Sequence, residues 1–430
     1  MGLEKDWGRL GLKLSDWKEY RIGELIETIF SGGTPNTKNS DYWNGSLPWL
    51  SSGETRNRYI NVTEKTITDS GAQNSSTRQA LKGDVVMASA GQGYTRGQVS
   101  FLNIDTFINQ SVIAIRANEK VLDKKFLFYN LSSRYEELRA ISDSNSIRGS
   151  ITTKMVKSMN IRIPDLNTQK AIANTLSSID DKIETSKQIN HHLEQMAQAI
   201  FKSWFVDFEP FGGVKPFDWK EGVFSEIVSS TLSGDWGKEN PVGNYQKMVY
   251  CMRGADLPEI TFGNKGKMPV RYILPKNFTN KQLTANNIVI EISGGSPTQS
   301  TGRCALITQS LLDRYECDMV CTNFCRAIKP KEGYSEFIYY YWRYLYEHNV
   351  MFLYENGTTG IKNLDISSFL ENEKIIIPTL NSVHKFSNIV QKLRNTIATN
   401  GLEIEKLTNL RDTLLPKLLS GEISVNQATK

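Results

Sequence analysis

Residues 161–176 read IRIPDLNTQKAIANTL, and residues 375–390 read IIIPTLNSVHKFSNIV. Ile161, Ile163, Pro164, Leu166, Asn167 and Asn174 recur 214 positions later as Ile375, Ile377, Pro378, Leu380, Asn381 and Asn388. Self-similarity at a fixed distance marks a duplicated structural unit. The echo extends upstream: SDWKEYRIGEL (15–25) answers to FDWKEGVFSEI (217–227), and WLSSGE (49–54) more faintly to YCMRGA (250–255). LKGDVVMASAG (81–91) answers to LTANNIVIEISGG (283–295), and IAIR (113–116) to RAIK (326–329). The offset grows along the chain, as insertions in the second copy would make it. Two halves therefore share one plan, each a globular part followed by a tail. The boundaries read as 1–164, 165–207, 208–378 and 379–430.

The tails are helical. After Pro164 neither Pro nor Gly appears until Pro210. Apolar residues run Ile172, Leu176, Ile179, Ile183, Leu193, Ile200 and Trp204, at alternating three- and four-residue steps. The second tail repeats them as Phe386, Val390, Leu393, Ile397, Leu407, Leu414 and Leu418. A mean spacing of 3.5 is the seam of a coiled coil. Ser186, Asn190 and Ala197 fill the gaps in the first seam, and Asn400, Ile404 and Arg411 those in the second. Polar seam positions lower stability but specify register and partner. Asp165 or Asn167 is placed to cap the first helix and Asn381 the second, and Pro416 to kink or end the last one. A helix of about 40 residues is about 60 Å long. The alternative is two amphipathic helices in unrelated cores, against which the constant offset argues. Parallel pairing would set both globular parts at one end of the helices, antiparallel pairing at opposite ends. The expected architecture is α+β: two globular α/β domains separated by two long helices that form an antiparallel coiled coil, a pseudo-two-fold repeat.

The 430 residues suit about two to four domains. No apolar run of membrane-spanning length occurs, and the opening MGLEKDWGRLGLKL resembles neither a signal peptide nor a myristoylation site. Five cysteines, Cys251, Cys304, Cys317, Cys321 and Cys325, are odd in number and point to reduced thiols in the cytoplasm. The four-residue spacing of the last three would align thiols on a helix, as in a metal site. DMVCTNFCRAI reads as a strand instead, with the thiols as small buried apolar groups.

The net charge of +5 permits a nucleic-acid partner without requiring one. Residues 1–164 carry 22 Lys and Arg against 17 Asp and Glu, whereas residues 208–378 carry 18 against 19. The second globular part is not basic overall, so a DNA reading rests on local chemistry. Base edges are read by Arg, Lys, Asn, Gln, Ser and Thr, with glycine allowing close backbone approach. In the first half the candidates are Thr34, Asn36 and Lys38 (31–39), Arg56 and Arg58 (51–58), Gln92, Tyr94 and Arg96 (89–98), and Arg148 and Lys154 in an acid-free stretch (145–162). In the second they are Arg253, Lys265 and Lys267 (253–267), Ser296, Thr298, Gln299 and Arg303 (293–303), and Thr358 and Lys362 (356–363). Any single loop of this kind could be only a turn between strands; corresponding loops in both halves strengthen the DNA reading. The aromatic run FIYYYWRYLY could stack on bases, but its helical spacing favours core, and FLFYN occupies the same place in the first half.

Catalytic chemistry is missing from the sequence. There is no Gly-rich phosphate loop, no Asn/Asp-Pro-Pro-aromatic methylation loop and no zinc spacing. The nearest acid–lysine cluster, EIEK (403–406), falls on the second helical tail, and the four His form no constellation. A binding protein is favoured over a self-sufficient methyltransferase or nuclease, and over a scaffold without a DNA role.

AIFKSWFVDFEPF (199–211), LRDTLLPKLLSGEI (410–423) and PDLNTQKAI (164–172) closely resemble the conserved regions of specificity subunits of type I restriction–modification systems. Gln169 and Ile172 match the family's Pro-Leu-x-Glu-Gln-x-x-Ile helix opening, while Thr168 replaces its acid and Val383 stands at the Gln position of the second copy. LPWLSSGE (47–54) and GDVVMASAG (83–91) are similar to the family's recognition domains. The resemblance covers essentially the whole chain. It implies a non-catalytic subunit that reads an asymmetric bipartite double-stranded DNA target, one half-site per domain. It also implies two modification subunits that use S-adenosylmethionine, and restriction subunits driven by ATP and Mg, with no cofactor on this chain and no membrane partner. The expected partner contacts are Phe201, Trp204, Phe205, Leu415 and Leu419, with packing against the chain's own domains as the alternative. A fused methyltransferase–nuclease partner stays open at this point.

Overall fold

The computed structural model describes residues 17–143, 149–296, 299–357 and 361–428. The chain forms two compact units, Met1–Asp181 with Thr408–Lys430, and Lys182–Leu407. The division cuts both long helices, because each helix packs against different globular parts along its length.

In the first unit, the opening IRI is a strand. Asn160–Ile163 pairs antiparallel with Lys18–Arg21. Beside this pair lies a five-stranded sheet in the order Ile26–Ser31, Val112–Ala117, Val85–Ala88, Val99–Leu102, Tyr59–Ile60. All four residues of Val85–Ala88 are buried, as expected for a strand covered on both faces. A second sheet pairs Trp43–Leu50 in parallel with Thr106–Ile108. Phe126, Leu127, Phe128 and Tyr129, on the helix Lys124–Ser132, fill the core against the first sheet. Each such fully buried side chain contributes about 1.5–3 kcal/mol.

The second unit repeats this plan. Lys220–Val223 pairs antiparallel with Lys374–Ile377. A four-stranded sheet runs Val228–Ser233, Cys325–Pro330, Ile288–Glu291, Cys304–Leu306, matching the first four strands of its counterpart in order. Lys247–Met252 pairs in parallel with Met319–Cys321. The aromatic run lies on the helix Ser335–Glu347, where Phe337, Tyr339, Tyr340 and Trp342 are fully buried, so it is core rather than a stacking platform. Cys321 and Cys325 lie in strands, and no cluster of metal-ligating side chains occurs among the described residues. Burial pushes the Cys251, Cys304 and Cys325 thiols up to about 12.

The tails are helices of 40 and 41 residues, Leu166–Phe205 and Leu380–Ser420. Asp165 caps the first: its carboxylate accepts from the backbone N–H of Asn167 (3.0 Å) and Thr168 (3.1 Å). Asn381 is not the second cap; Thr379, which aligns with Asp165, precedes the helix. Pro416 does not end that helix, which continues to Ser420 and stops at Gly421 with φ +75°. Beyond it, Ile423, Val425 and Ala428 pack onto the first unit's core.

Helix pairing is antiparallel within each unit. In the first, Ile172 and Leu176 share a core with Leu415 and Leu418, and Asp180 meets Arg411. In the second, Asn190 meets Asn400, while Ala197 and Phe201 pack with Val383, Phe386 and Val390. The expected seam holds at Ile172, Leu176, Ile183, Ser186, Asn190 and Ala197. It shifts elsewhere. Ile179, Leu193 and Ile200 are only half-buried, and Asp180, Glu194 and Phe201 take the buried stripe. The physical reason lies in the globular parts, which supply donors that neutralise the two acids. Arg58 Nε, Tyr59 OH and Tyr129 OH reach Asp180 at 2.9, 2.8 and 2.8 Å. Arg343, Tyr339 and Tyr340 reach Glu194.

Candidate nucleic-acid interface

The Gly- and Ser-rich loops converge at one end of the sheets in each unit, on a repeated frame. Asn109 N–H donates to Leu50 O (3.1 Å) in the first unit, and Thr322 N–H to Met252 O (2.9 Å) in the second. Each bond ties the end of one parallel strand to the turn after its neighbour. Glycine is required where the next loop crosses this frame. A Cβ on Gly32 would stand 1.9 Å from Ile108 O, and one on Gly234 would stand 1.8 Å from Thr322 O. Two buried acids then hold the turn after the first parallel strand. Glu54 Oε1 accepts from Ser51 N–H and Oγ–H, and Asp256 Oδ2 accepts from Arg253 N–H. Burial pushes the Asp256 carboxyl up, but the Arg253 hydrogen bonds more than offset this and hold it below the usual carboxylate range. This frame aligns Glu54 with Asp256, one residue away from the register of the faint WLSSGE/YCMRGA echo.

The predicted reading residues divide by environment. Asn36, Lys38, Arg56, Gln92, Tyr94, Lys154, Lys267 and Gln299 are exposed. Tyr94, 83% exposed, tops a loop held from below by Tyr135 OH on Tyr94 O and Arg139 on Gly93 O. Thr34 bonds Gln110, and Ser296 Oγ accepts from Gln299 N–H. Others are engaged inside the fold. Arg58 is committed to Asp180, and Arg96 is buried against Asp143 and Gly149 O. Arg253 chelates Asp256, and Arg303 chelates Glu291. Lys265 lies 3.7 Å from Glu405, and Lys362 3.0 Å from Glu355. These cations shape loops, which composition alone could not reveal. Arg148, Thr298, Thr358 and the N-terminal stretch lie outside the described residues. The EIEK carboxylates are taken up by ion pairs, Glu403 with Lys182 and Glu405 with Arg314.

The family profile described as "Type I restriction modification DNA specificity domain" matches residues 14–195 and again 216–409. The chain belongs to the type I restriction–modification DNA specificity family. It is 28% identical over 454 aligned residues to the type I restriction enzyme MjaIX specificity subunit of Methanocaldococcus jannaschii, covering 99% of this chain and 96% of that protein. It is 26% identical to the HindI specificity subunit of Haemophilus influenzae, covering 95% and 100%. The crystal structure of an S subunit from M. genitalium shares the fold, with a TM-score of 0.55, 19% identity, and coverage of 95% and 97%. As a specificity subunit, the chain recognises DNA through two recognition domains and leaves catalysis to the other subunits of a type I system.

Two features of this specificity subunit refine the sequence reading. Gln169 is buried and saturated. Its Oε1 accepts from Asp123 N–H (2.9 Å), and its Nε2 donates to Val121 O and Pro164 O. It fastens the start of the first long helix to the loop before Lys124–Ser132. Val383, its counterpart, is an apolar core residue without that capacity. Among the expected partner contacts, Phe201, Phe205 and Leu415 are enclosed by this chain's own side chains, so packing is their role. Trp204 and Leu419 are half-buried.

Proposed function

We propose that this specificity subunit reads an asymmetric bipartite duplex target, one half-site per recognition unit, with the long helices fixing the unread gap. The observation that carries the reading is the repeated strand-end frame bearing unlike loops. Asn109–Leu50 and Thr322–Met252 are the same hydrogen bond, but SAGQGYTRGQ stands in one unit where SGGSPTQSTGR stands in the other. A shared scaffold with different polar side chains at its rim suits two half-sites of different sequence. Asn36, Lys38, Gln92, Tyr94 and Lys154 serve the first half-site, and Lys267, Ser296 and Gln299 the second.

The subunit assembles with two modification subunits, one for each half of the repeat, which use S-adenosylmethionine to methylate adenine. Restriction subunits that consume ATP with Mg join that assembly. Trp204 and Leu419 are the contacts retained for these partners. The test maps methylated adenines in a genome carrying the chain with its modification subunit, before and after residues 1–164 are exchanged for another recognition domain. One half-site should change and the other persist. Change in both half-sites would overturn the reading.

A further inference from the structure

The strand-end frame carries an aromatic side chain that polar-residue reasoning passes over. Phe324 sits in the turn between Met319–Cys321 and Cys325–Pro330 and is 62% exposed. Its backbone is held firmly. Phe324 O accepts from Ile292 N–H (2.9 Å) and Ser293 N–H (3.2 Å), and Cys325 N–H closes the turn on Thr322 O (2.9 Å). The first unit has the same arrangement at Ser111, whose carbonyl accepts from Ser89 N–H (2.8 Å). The two units thus present different side chains, Ser111 and Phe324, from one scaffold position. The strand that Phe324 O anchors carries polar groups of the second reading rim. Ser293 bonds Asn363 and pairs with it across strands, and Gly294 pairs with Lys362.

A phenyl ring offers no hydrogen bond. The base edges of a duplex major groove present one apolar group, the 5-methyl of thymine, and an apolar side chain is the natural contact for it. Because three hydrogen bonds hold the turn that carries the ring, only its two side-chain torsions remain to be ordered on making that contact. We infer that Phe324 is a specificity-determining residue of the second half-site, its ring packing against a thymine methyl group. This rests on the DNA-reading function proposed above.

The test uses the chain assembled with its modification subunits and a duplex carrying the mapped target. Each thymine of the second half-site is replaced in turn by uracil, which lacks only the methyl, and binding is read by fluorescence anisotropy at fixed salt. One uracil should weaken the wild-type complex roughly four-fold. Phe324→Ala, and Phe324→Ser, which installs the residue this turn carries in the first unit, should abolish that penalty and leave first-half-site discrimination intact. Adenine mapping with either variant should show the same thymine position becoming degenerate. A second half-site without thymine, uracil penalties that persist in both variants, or equal weakening on every duplex would overturn the inference. If the wild-type chain directs no methylation to a bipartite motif, the proposed function fails, and it fails before any variant is compared.

Discussion

Asn400 Nδ2 donates a 2.8 Å hydrogen bond to Asn190 Oδ1, joining the two long helices within the second unit at a site where Asn190 is fully buried. Asn190 Nδ2 in turn donates to Ile397 O (3.1 Å) and Phe262 O (3.0 Å). The Asn190 amide is therefore satisfied only in this register. A buried acceptor stripped of its donor costs about 1–3 kcal/mol. Asn400→Leu should lower stability by that amount, and the Asn190→Leu/Asn400→Leu cycle should show a coupling above roughly 0.5 kcal/mol in urea melts. Additive single and double variants would mean that the pair does not set the register.

Gly401 lies one residue beyond that pair, inside a helix, where Ala would normally gain about 1 kcal/mol. Here a Cβ would stand 1.8 Å from Gly263 O. The clash involves backbone rather than a flexible side chain, so it should outweigh the propensity gain. Gly401→Ala is expected to destabilise the chain by about 1–3 kcal/mol. A raised melting temperature would show that the loop yields.

Asp180 contributes a buried carboxylate to the pH dependence of the first unit. Burial pushes its carboxyl up, but Arg58, Arg411 and Tyr129 more than compensate, leaving it below the usual carboxylate range. A lowered folded value contributes stability in full above the unfolded-chain value of about 4. That contribution is lost as pH falls below this and through the folded value. Asp180→Asn leaves Arg58 without its carboxylate and Arg411 with only the exposed Asp412, and should cost roughly 3 kcal/mol at pH 7. Acid unfolding below about pH 4 should be steeper in the wild type than in the variant. Parallel acid titrations of the two proteins would refute the assignment.

Gln169→Val makes the first helix opening resemble the second. It orphans Asp123 N–H, Val121 O and Pro164 O. The expected loss is about 2 kcal/mol, whereas Val383→Gln, which buries an amide in an apolar core, should cost at least as much. Hydrogen exchange at the Asp123 amide reports the first effect directly, and unchanged protection there would contradict it.

Inserting a heptad into both long helices should lengthen the gap between the half-sites and leave each half-site's sequence unchanged. Adenine mapping reads the outcome. Altered half-site sequences would show that the helices do more than set a distance.

The repeat 214 residues apart, the 3.5-residue apolar period and the matching Gly-rich loops were enough to specify two recognition units and two long helices. Those features are local, and they follow from side-chain periodicity and backbone propensity. The seam is a different matter. Asp180 and Glu194 look like solvated residues on an amphipathic helix until Arg58, Tyr129, Arg343 and Tyr340 arrive from distant parts of the chain to satisfy them. The same holds for Arg58, Arg96, Arg253 and Arg303, which composition marks as cationic and only folding shows to be paired with this chain's own carboxylates. Phe324 is the converse, a core-type residue that the turn between two strands holds in solvent. Sequence determined the plan, because periodicity is written residue by residue. Tertiary structure decided which charges and rings remain outward, because burial depends on what the rest of the chain brings against each side chain.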